Sequence, residues 1–198
     1  SVLTNVTSML AQTNLGKASG QMADSMARLS SGLRVRSAAD DAAGLAISED
    51  FKAKIRGLNQ AKRNANDGVS LAQTADGALK EIGGMLNRMR ELAVQSSTGT
   101  VNTTQRGYIH DEFVQLRSEI DRLATTTEYN GISLINGDSA GGITFQVGSG
   151  NSTNDQLTLS LLSSSSTALS ISGDSVSTSA AALSAISALD AAIGSISS

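Results

Sequence analysis

Residues 68–93 read GVSLAQTADGALKEIGGMLNRMRELA. Ala72, Ala75, Leu79, Ile82, Leu86, Met89 and Ala93 recur at steps of three and four, the spacing that stacks side chains along one seam of a helix. The seam runs backwards through Gly68, Ala65, Ala61, Leu58, Ile55 (one residue out of register), Phe51 and Ile47, so residues 44–93 predict one continuous helix. At ~1.5 Å per residue that is a rod of roughly 75 Å, longer than a globular domain requires. Small seam residues such as Gly68, Ala72 and Ala75 let partner helices approach closely. The pair Gly83–Gly84 costs about 1 kcal/mol per glycine in an isolated helix, so packing must hold the rod together.

Working outward, Ile109, Phe113, Leu116, Ile120 and Leu123 repeat at steps of four and three, with Asn102, Thr103 and Thr104 as candidate N-caps. The loop Ser96-Ser97-Thr98-Gly99-Thr100 is rich in turn formers, so this second helix folds back on the rod. Residues 1–37 hold a weaker pattern (Val6, Met9, Leu10, Leu15, Met22, Met26, Leu29), interrupted by Gly16 and Gly20 and ended by Ser30-Ser31-Gly32. Alone, such a helix is marginal. Arg34, Arg36, Asp40 and Asp41 occupy the link that follows and read as a solvated loop with ion pairs.

After Tyr129 the period changes. Asn130-Gly131 and Asn136-Gly137 are hairpin-type turn signals flanking Ile132–Ile135, and Ile143–Val147 and Leu157–Leu161 alternate apolar and polar residues across the loop Gly148 to Asp155. Two or three strands need support from the bundle. A heptad resumes at Ala182, Ile186, Leu189, Ile193 and Ile196. It breaks off in mid-repeat without a cap, which suggests part of a longer gene product. The reading is a mainly α protein: a long antiparallel helical bundle or coiled-coil rod with a small β-hairpin region.

Composition excludes much chemistry. The chain has 198 residues, net charge −3, 3% aromatic residues and no Cys, Pro or Trp. Thiolate metal sites, disulfides and a cysteine nucleophile are impossible, and the core must be aliphatic. All 15 basic residues lie before residue 123, against 13 acidic ones there. Residues 149–198 hold 17 Ser and 4 Thr and no basic residue, and a partly disordered Ser-rich tail is an alternative reading of that segment. The single histidine, His110, forbids a multi-histidine metal site and belongs to no Ser-His-Asp pattern. Asp111 and Glu112 diverge by about 100° on a helix and do not converge on one substrate atom. No P-loop occurs. The basic cluster Lys52, Lys54, Arg56, Lys62 and Arg63 is flanked by acids and lacks aromatic residues, so nucleic-acid binding is not expected. No apolar run approaches the ~20 residues of a membrane span. No catalytic, cofactor-binding or metal-ligating residues are expected, and the chain does not read as an enzyme.

LSSGLRVRSAADDAAGLAIS at 29–48, GLNQAKRNANDGVSLAQTADGALKEI at 57–82, NRMRELAVQSS at 87–97 and EIDRLATTTEYNGISLINGD at 119–138 together resemble the bacterial flagellins. The resemblance is nearly continuous over residues 1–138, and the family's C-terminal signature, a run of Gln, Ala and Leu, is missing. It implies a secreted, extracellular filament subunit, exported unfolded without a cleaved signal peptide, that polymerises into a helical homopolymer for motility. An export chaperone, the filament cap and the flagellin-sensing Toll-like receptor are the implied partners, with no nucleic acid and no membrane insertion. The alternative is a hook–filament junction protein. The implied organisation is 1–40 as filament-core helix and linker, 41–128 as helical rod, 129–175 as Ser/Thr-rich β-hairpin region, and 176–198 as the start of a returning helix. Arg88, Met89, Arg90, Glu91, Leu92 and Val94, with Glu112 opposite, resemble the family's receptor-binding and assembly surface. The helix seam is expected at Phe51, Leu58, Leu79, Ile82, Leu86, Met89, Ile109, Phe113, Leu116 and Ile120.

Overall fold

The computed structural model describes residues 5–197. Four helices, α1 (Val6–Ser31), α2 (Ala42–Ser97), α3 (Thr103–Thr126) and α4 (Ser179–Ser197), bracket two antiparallel hairpins between α3 and α4. These are β1 (Glu128–Tyr129) with β2 (Ile132–Ser133), and β3 (Ile143–Gln146) with β4 (Gln156–Leu159). The chain divides into two compact units between Gly57 and Leu58, inside α2 rather than at the link before it.

In the first unit, Asn5 caps α1 by accepting a hydrogen bond from the Ser8 amide, and Gly32 ends the helix in the left-handed conformation. No residue of α1 is buried; its aliphatic side chains, from Val6 to Leu29, face solvent. The link is organised by Asp40, whose carboxylate accepts from the Arg36 and Ser37 amides, and by the ion pairs Arg28–Asp40, Arg34–Asp41 and Arg36–Asp24. The backbone amide of Arg36, then that of Ser37, holds the Asp40 pKa below the ordinary carboxylate value. Phe51 is 57% exposed, with Lys54 Nζ 6.0 Å from its ring centroid.

In the second unit, α3 and α4 both run antiparallel to α2. Arg106 lies beside Ser96 and Thr98 while Glu112 reaches Arg88; Ser179 lies beside Ser97 while Asp190 reaches Arg90. Ile82, Leu86, Met89 and Ala93 of α2, Phe113 and Ile120 of α3, and Ala182, Ala185, Leu189 and Ala192 of α4 form one aliphatic core. Leu79, Ile109 and Leu116 are half-buried against it. Leu92, which lies off the narrow seam, is also buried because α2 serves two helices there and needs a wider apolar stripe, while Leu71 is buried farther along α2, beside Tyr129, Ile143 and Phe145 of the hairpins. The expected seam stops short at its N-terminal end: Leu58, like Phe51, is solvent-facing at 52% exposure, since no side chain among the described residues encloses either. Asn102 is the cap of α3, in a reciprocal capping box with Gln105.

The Asn130–Gly131 turn places both residues at positive φ, 51° and 77°, which a two-residue hairpin needs. The larger hairpin pairs Ile143 with Leu159 and Phe145 with Leu157 on one face, and Thr144 with Thr158 on the other. It sits on α2 where Gly68 leaves room: a Cβ there would meet the Phe145 ring at 3.3 Å. Asn64 Nδ2 donates to the Gln146 carbonyl at 2.9 Å beside it. The Ser-rich stretch is ordered rather than a loose tail. Asp121 accepts from both the amide and the hydroxyl of Ser166, at 2.8 and 2.7 Å, and Ser164 and Ser166 are buried. One further expectation is corrected: α4 is long and apolar enough by length and composition to cross a bilayer. Here its apolar face packs into the core, with Asp190 at the flank of that contact, paired with Arg90 of α2.

Replacing Asn102 by Ala removes the cap and should lower stability by about 1 kcal/mol in urea unfolding. Ile82→Ala, at the fully enclosed centre of the core, should cost roughly 2–5 kcal/mol in the same assay.

Candidate functional site

The last three turns of α2 carry the most organised polar surface of the second unit. Residues 86, 89, 92, 93 and 96 face inward, so Arg88 and Arg90 emerge on opposite flanks of the buried stripe. Arg88 turns toward α3, where Nε and Nη2 donate to Glu112 Oε1 at 3.0 and 2.9 Å, while Nη1 donates to Glu91 on its own helix at 2.9 Å. Arg90 turns toward α4, where its guanidinium meets both oxygens of Asp190, at 2.6 and 3.5 Å. The hydrogen bond to Glu112, then that to Glu91, raises the Arg88 pKa; Asp190 does the same for Arg90, whose hydrogen bond in turn lowers that of Asp190. The four side chains are about half exposed, so each pair adds little to stability and is weakened by salt. Their effect is to set the azimuth of α3 and α4 around α2.

Of the candidate surface, Arg88, Arg90, Glu91, Val94 and Glu112 are accessible. Met89 and Leu92 are not: they are fully enclosed in the core, Leu92 at 1% exposure. Both are i+3 or i+4 neighbours of inward-facing residues, and the second partner helix closes over them. They therefore act on this surface only by fixing the backbone beneath it.

Several fastenings were not legible in the sequence. Arg106 donates to the Ser96 and Thr98 carbonyls at 2.8 and 2.9 Å, placing a cation on the carbonyl end of α2. Ser96 is buried and donates to the Val176 carbonyl, and Arg117 Nη1 donates to the Asp174 carbonyl at 3.0 Å. His110 is half-buried and structural, its Nδ1 facing the Val176 amide at 3.4 Å. The basic cluster is partly neutralised, Lys52 by Glu49 and Lys54 by Asp50, and among the described residues no group of His, Asp and Glu is arranged to hold a metal.

In the second unit, α3 and α4 packed antiparallel on α2 with ion-paired flanks make a helical bundle. Residues 2–140 match the model of the bacterial flagellin N-terminal helical region, and the chain belongs to the flagellin family. It is 52% identical over 148 residues to flagellin A of Vibrio cholerae, covering 75% of this chain and 39% of that protein. To the flagellin of Xenorhabdus nematophila it is 52% identical over 135 residues, covering 68% of this chain and 43% of that one. The chain thus spans about two-fifths of the length of these relatives. Among solved structures, Bacillus cereus flagellin matches with a TM-score of 0.60 at 33% identity, covering 68% of this chain and 77% of that one. A hook-associated protein described as putative, from Vibrio parahaemolyticus, shares the fold alone, with a TM-score of 0.58 at 14% identity over 81% of this chain and 84% of that one.

Asp174 provides a pH test of this region. Its Oδ2 is buried without a hydrogen-bond partner among the described residues, and burial raises its pKa above the ordinary value, opposed by Arg117. The folded state therefore disfavours the carboxylate. Stability attached to this group is full below the unfolded-state pKa and is lost as pH rises through the folded one. Asp174→Asn should melt at or above the wild-type temperature at neutral pH, with the difference vanishing once the pH falls below the ordinary Asp range.

Proposed function

We propose that this chain is the rod-forming part of a bacterial flagellar filament subunit. The protein leaves the cell unfolded through the flagellar type III channel, with an export chaperone before it and the filament cap at its destination, and polymerises outside the cell into an open helical homopolymer. Family membership supports the reading. The observation that carries it is the unburied aliphatic face of α1, from Val6 to Leu29, which a free monomer would leave in water and a polymer can cover. Residues 1–40 then serve as core helix and linker, 41–128 as the rod, 129–175 as the β region and 176–198 as the start of the returning helix. Assembly by a contact that does not close on itself produces a filament rather than a ring.

The flank of α2 at Arg88, with Glu91 and Glu112, is the part of the surface we assign to recognition by the flagellin-sensing Toll-like receptor. Arg88 is already forked between two carboxylates and so is held in one rotamer, which lowers the entropy lost on binding.

Two measurements test these statements. Immunogold labelling of source cells with an antibody to residues 139–179 should decorate the whole appendage; a single band near the cell would make the protein a hook–filament junction component instead. Arg88→Ala should lower receptor-dependent reporter signalling with its circular-dichroism spectrum unchanged, and full signalling by that variant would remove the receptor assignment.

A further inference from the structure

Among the asparagines of the chain only Asn130 and Asn136 precede glycine. Glycine has no Cβ to hinder approach between its own amide nitrogen and the side-chain amide before it, so these are the two asparagines most open to attack by their own backbone. The fold gives them opposite surroundings.

Asn130 and Gly131 form the tip of the β1–β2 hairpin, and both are exposed. A Cβ built on Gly131 would meet nothing within 4 Å. Among the described residues the Asn130 side chain holds no hydrogen bond, and the Gly131 amide, lying between the paired residues Tyr129 and Ile132, donates to no backbone carbonyl. Asn136 is pinned instead. Its Nδ2 donates to Asp138 Oδ2 at 2.6 Å, its Oδ1 accepts from the Asp138 amide at 2.9 Å, and its carbonyl accepts from Ser163 Oγ at 3.1 Å. Ser163 also backs Gly137, its Cβ 3.3 Å from where a Cβ on that glycine would stand. Leu134 and Ile135, immediately before, are fully buried, so this peptide cannot turn without disturbing the core.

We propose that Asn130 is a site of spontaneous deamidation in the folded chain, and that its contacts protect Asn136. The Gly131 nitrogen gives up its proton and attacks Asn130 Cγ. The new N–Cγ bond closes a succinimide ring, the Cγ–Nδ2 bond breaks, and Nδ2 leaves with a proton as ammonia. Water then opens the ring. Cleavage of the N–Cγ bond leaves aspartate at position 130, and cleavage at the main-chain carbonyl leaves isoaspartate, whose backbone runs through the side chain and is one carbon longer. Water is the only co-reactant.

Either product adds a carboxylate to the hollow that Asn130 lines together with Asp67, Leu71 and Tyr129. Isoaspartate also lengthens a two-residue turn between strands of two residues each, where the pairs Glu128–Ser133 and Tyr129–Ile132 leave no spare residue to absorb the change. The site does not depend on the filament reading.

The complete gene product, unassembled, is aged in mildly alkaline buffer, folded and in urea, then digested in acid to avoid further conversion. Mass spectrometry follows the amide-to-acid change at both positions, and labelling by isoaspartyl methyltransferase separates the two products. Each rate in the folded chain is read against the same position in urea, which removes the effect of neighbouring sequence. Folding should slow Asn136 several-fold more than Asn130, and Asn130 should yield isoaspartate while circular dichroism shows the chain still folded. Equal slowing at both positions, greater slowing at Asn130, or an Asn130 that stays intact when folded while its urea control converts would each overturn the proposal.

Discussion

The second unit is organised by the burial of the aliphatic stripe on the C-terminal half of α2. Ile82, Leu86, Met89 and Ala93 are removed from water by α3 on one side and α4 on the other. With few aromatic residues, the core gains its stability from many small contacts rather than a few large ones, and that favours long, closely spaced helices. Small residues make the spacing possible. Ala182, Ala185 and Ala192 on α4 let that helix approach α2, and Gly68 admits the Phe145 ring where any side chain would crowd it. The glycine pair in mid-helix is tolerated because this packing supplies what local propensity does not.

Polar groups then fix what the apolar stripe leaves free. A seam of similar aliphatic side chains specifies proximity well and azimuth poorly. The Arg88–Glu112 and Arg90–Asp190 pairs, placed on opposite flanks, hold the two neighbouring helices in a single arrangement at little net energetic gain. In the serine-rich stretch short hydroxyl side chains turn toward backbone carbonyls and the Asp121 carboxylate, so the segment is held by polar contacts as well as by the burial of Leu169, Ile171 and Val176. Its low charge reflects burial against the bundle for Ser164 and Ser166 rather than solvation.

The packing leaves apolar surface exposed in both units. In the first unit the aliphatic side chains of α1 remain in solvent, and in the second an apolar groove stays open between α2 and the β3–β4 hairpin while Tyr108 is exposed on α3. Exposed apolar surface of this kind marks sites of interaction rather than of folding.

Periodicity made the helices legible, because the step of three and four that places Ala72 to Ala93 on one face is set by backbone geometry alone. The Asn130–Gly131 turn and the cap at the start of α3 were legible for the same local reason, although Asn102 could be chosen over Thr103 and Thr104 only once the capping box was seen. The motifs around residues 29–138 carried the family. What the sequence left open was non-local: that Leu92 and Met89 point into the core beside an exposed Arg88, that Phe51 and Leu58 stay in solvent, and that Arg106, Asp121 and Ser96 fasten distant segments. Helical spacing defines a stripe but not how many neighbours cover it or where they end. The tertiary structure decided both, because burial depends on which residues the chain brings together across 24 to 100 positions, as in Arg88 with Glu112 and Arg90 with Asp190.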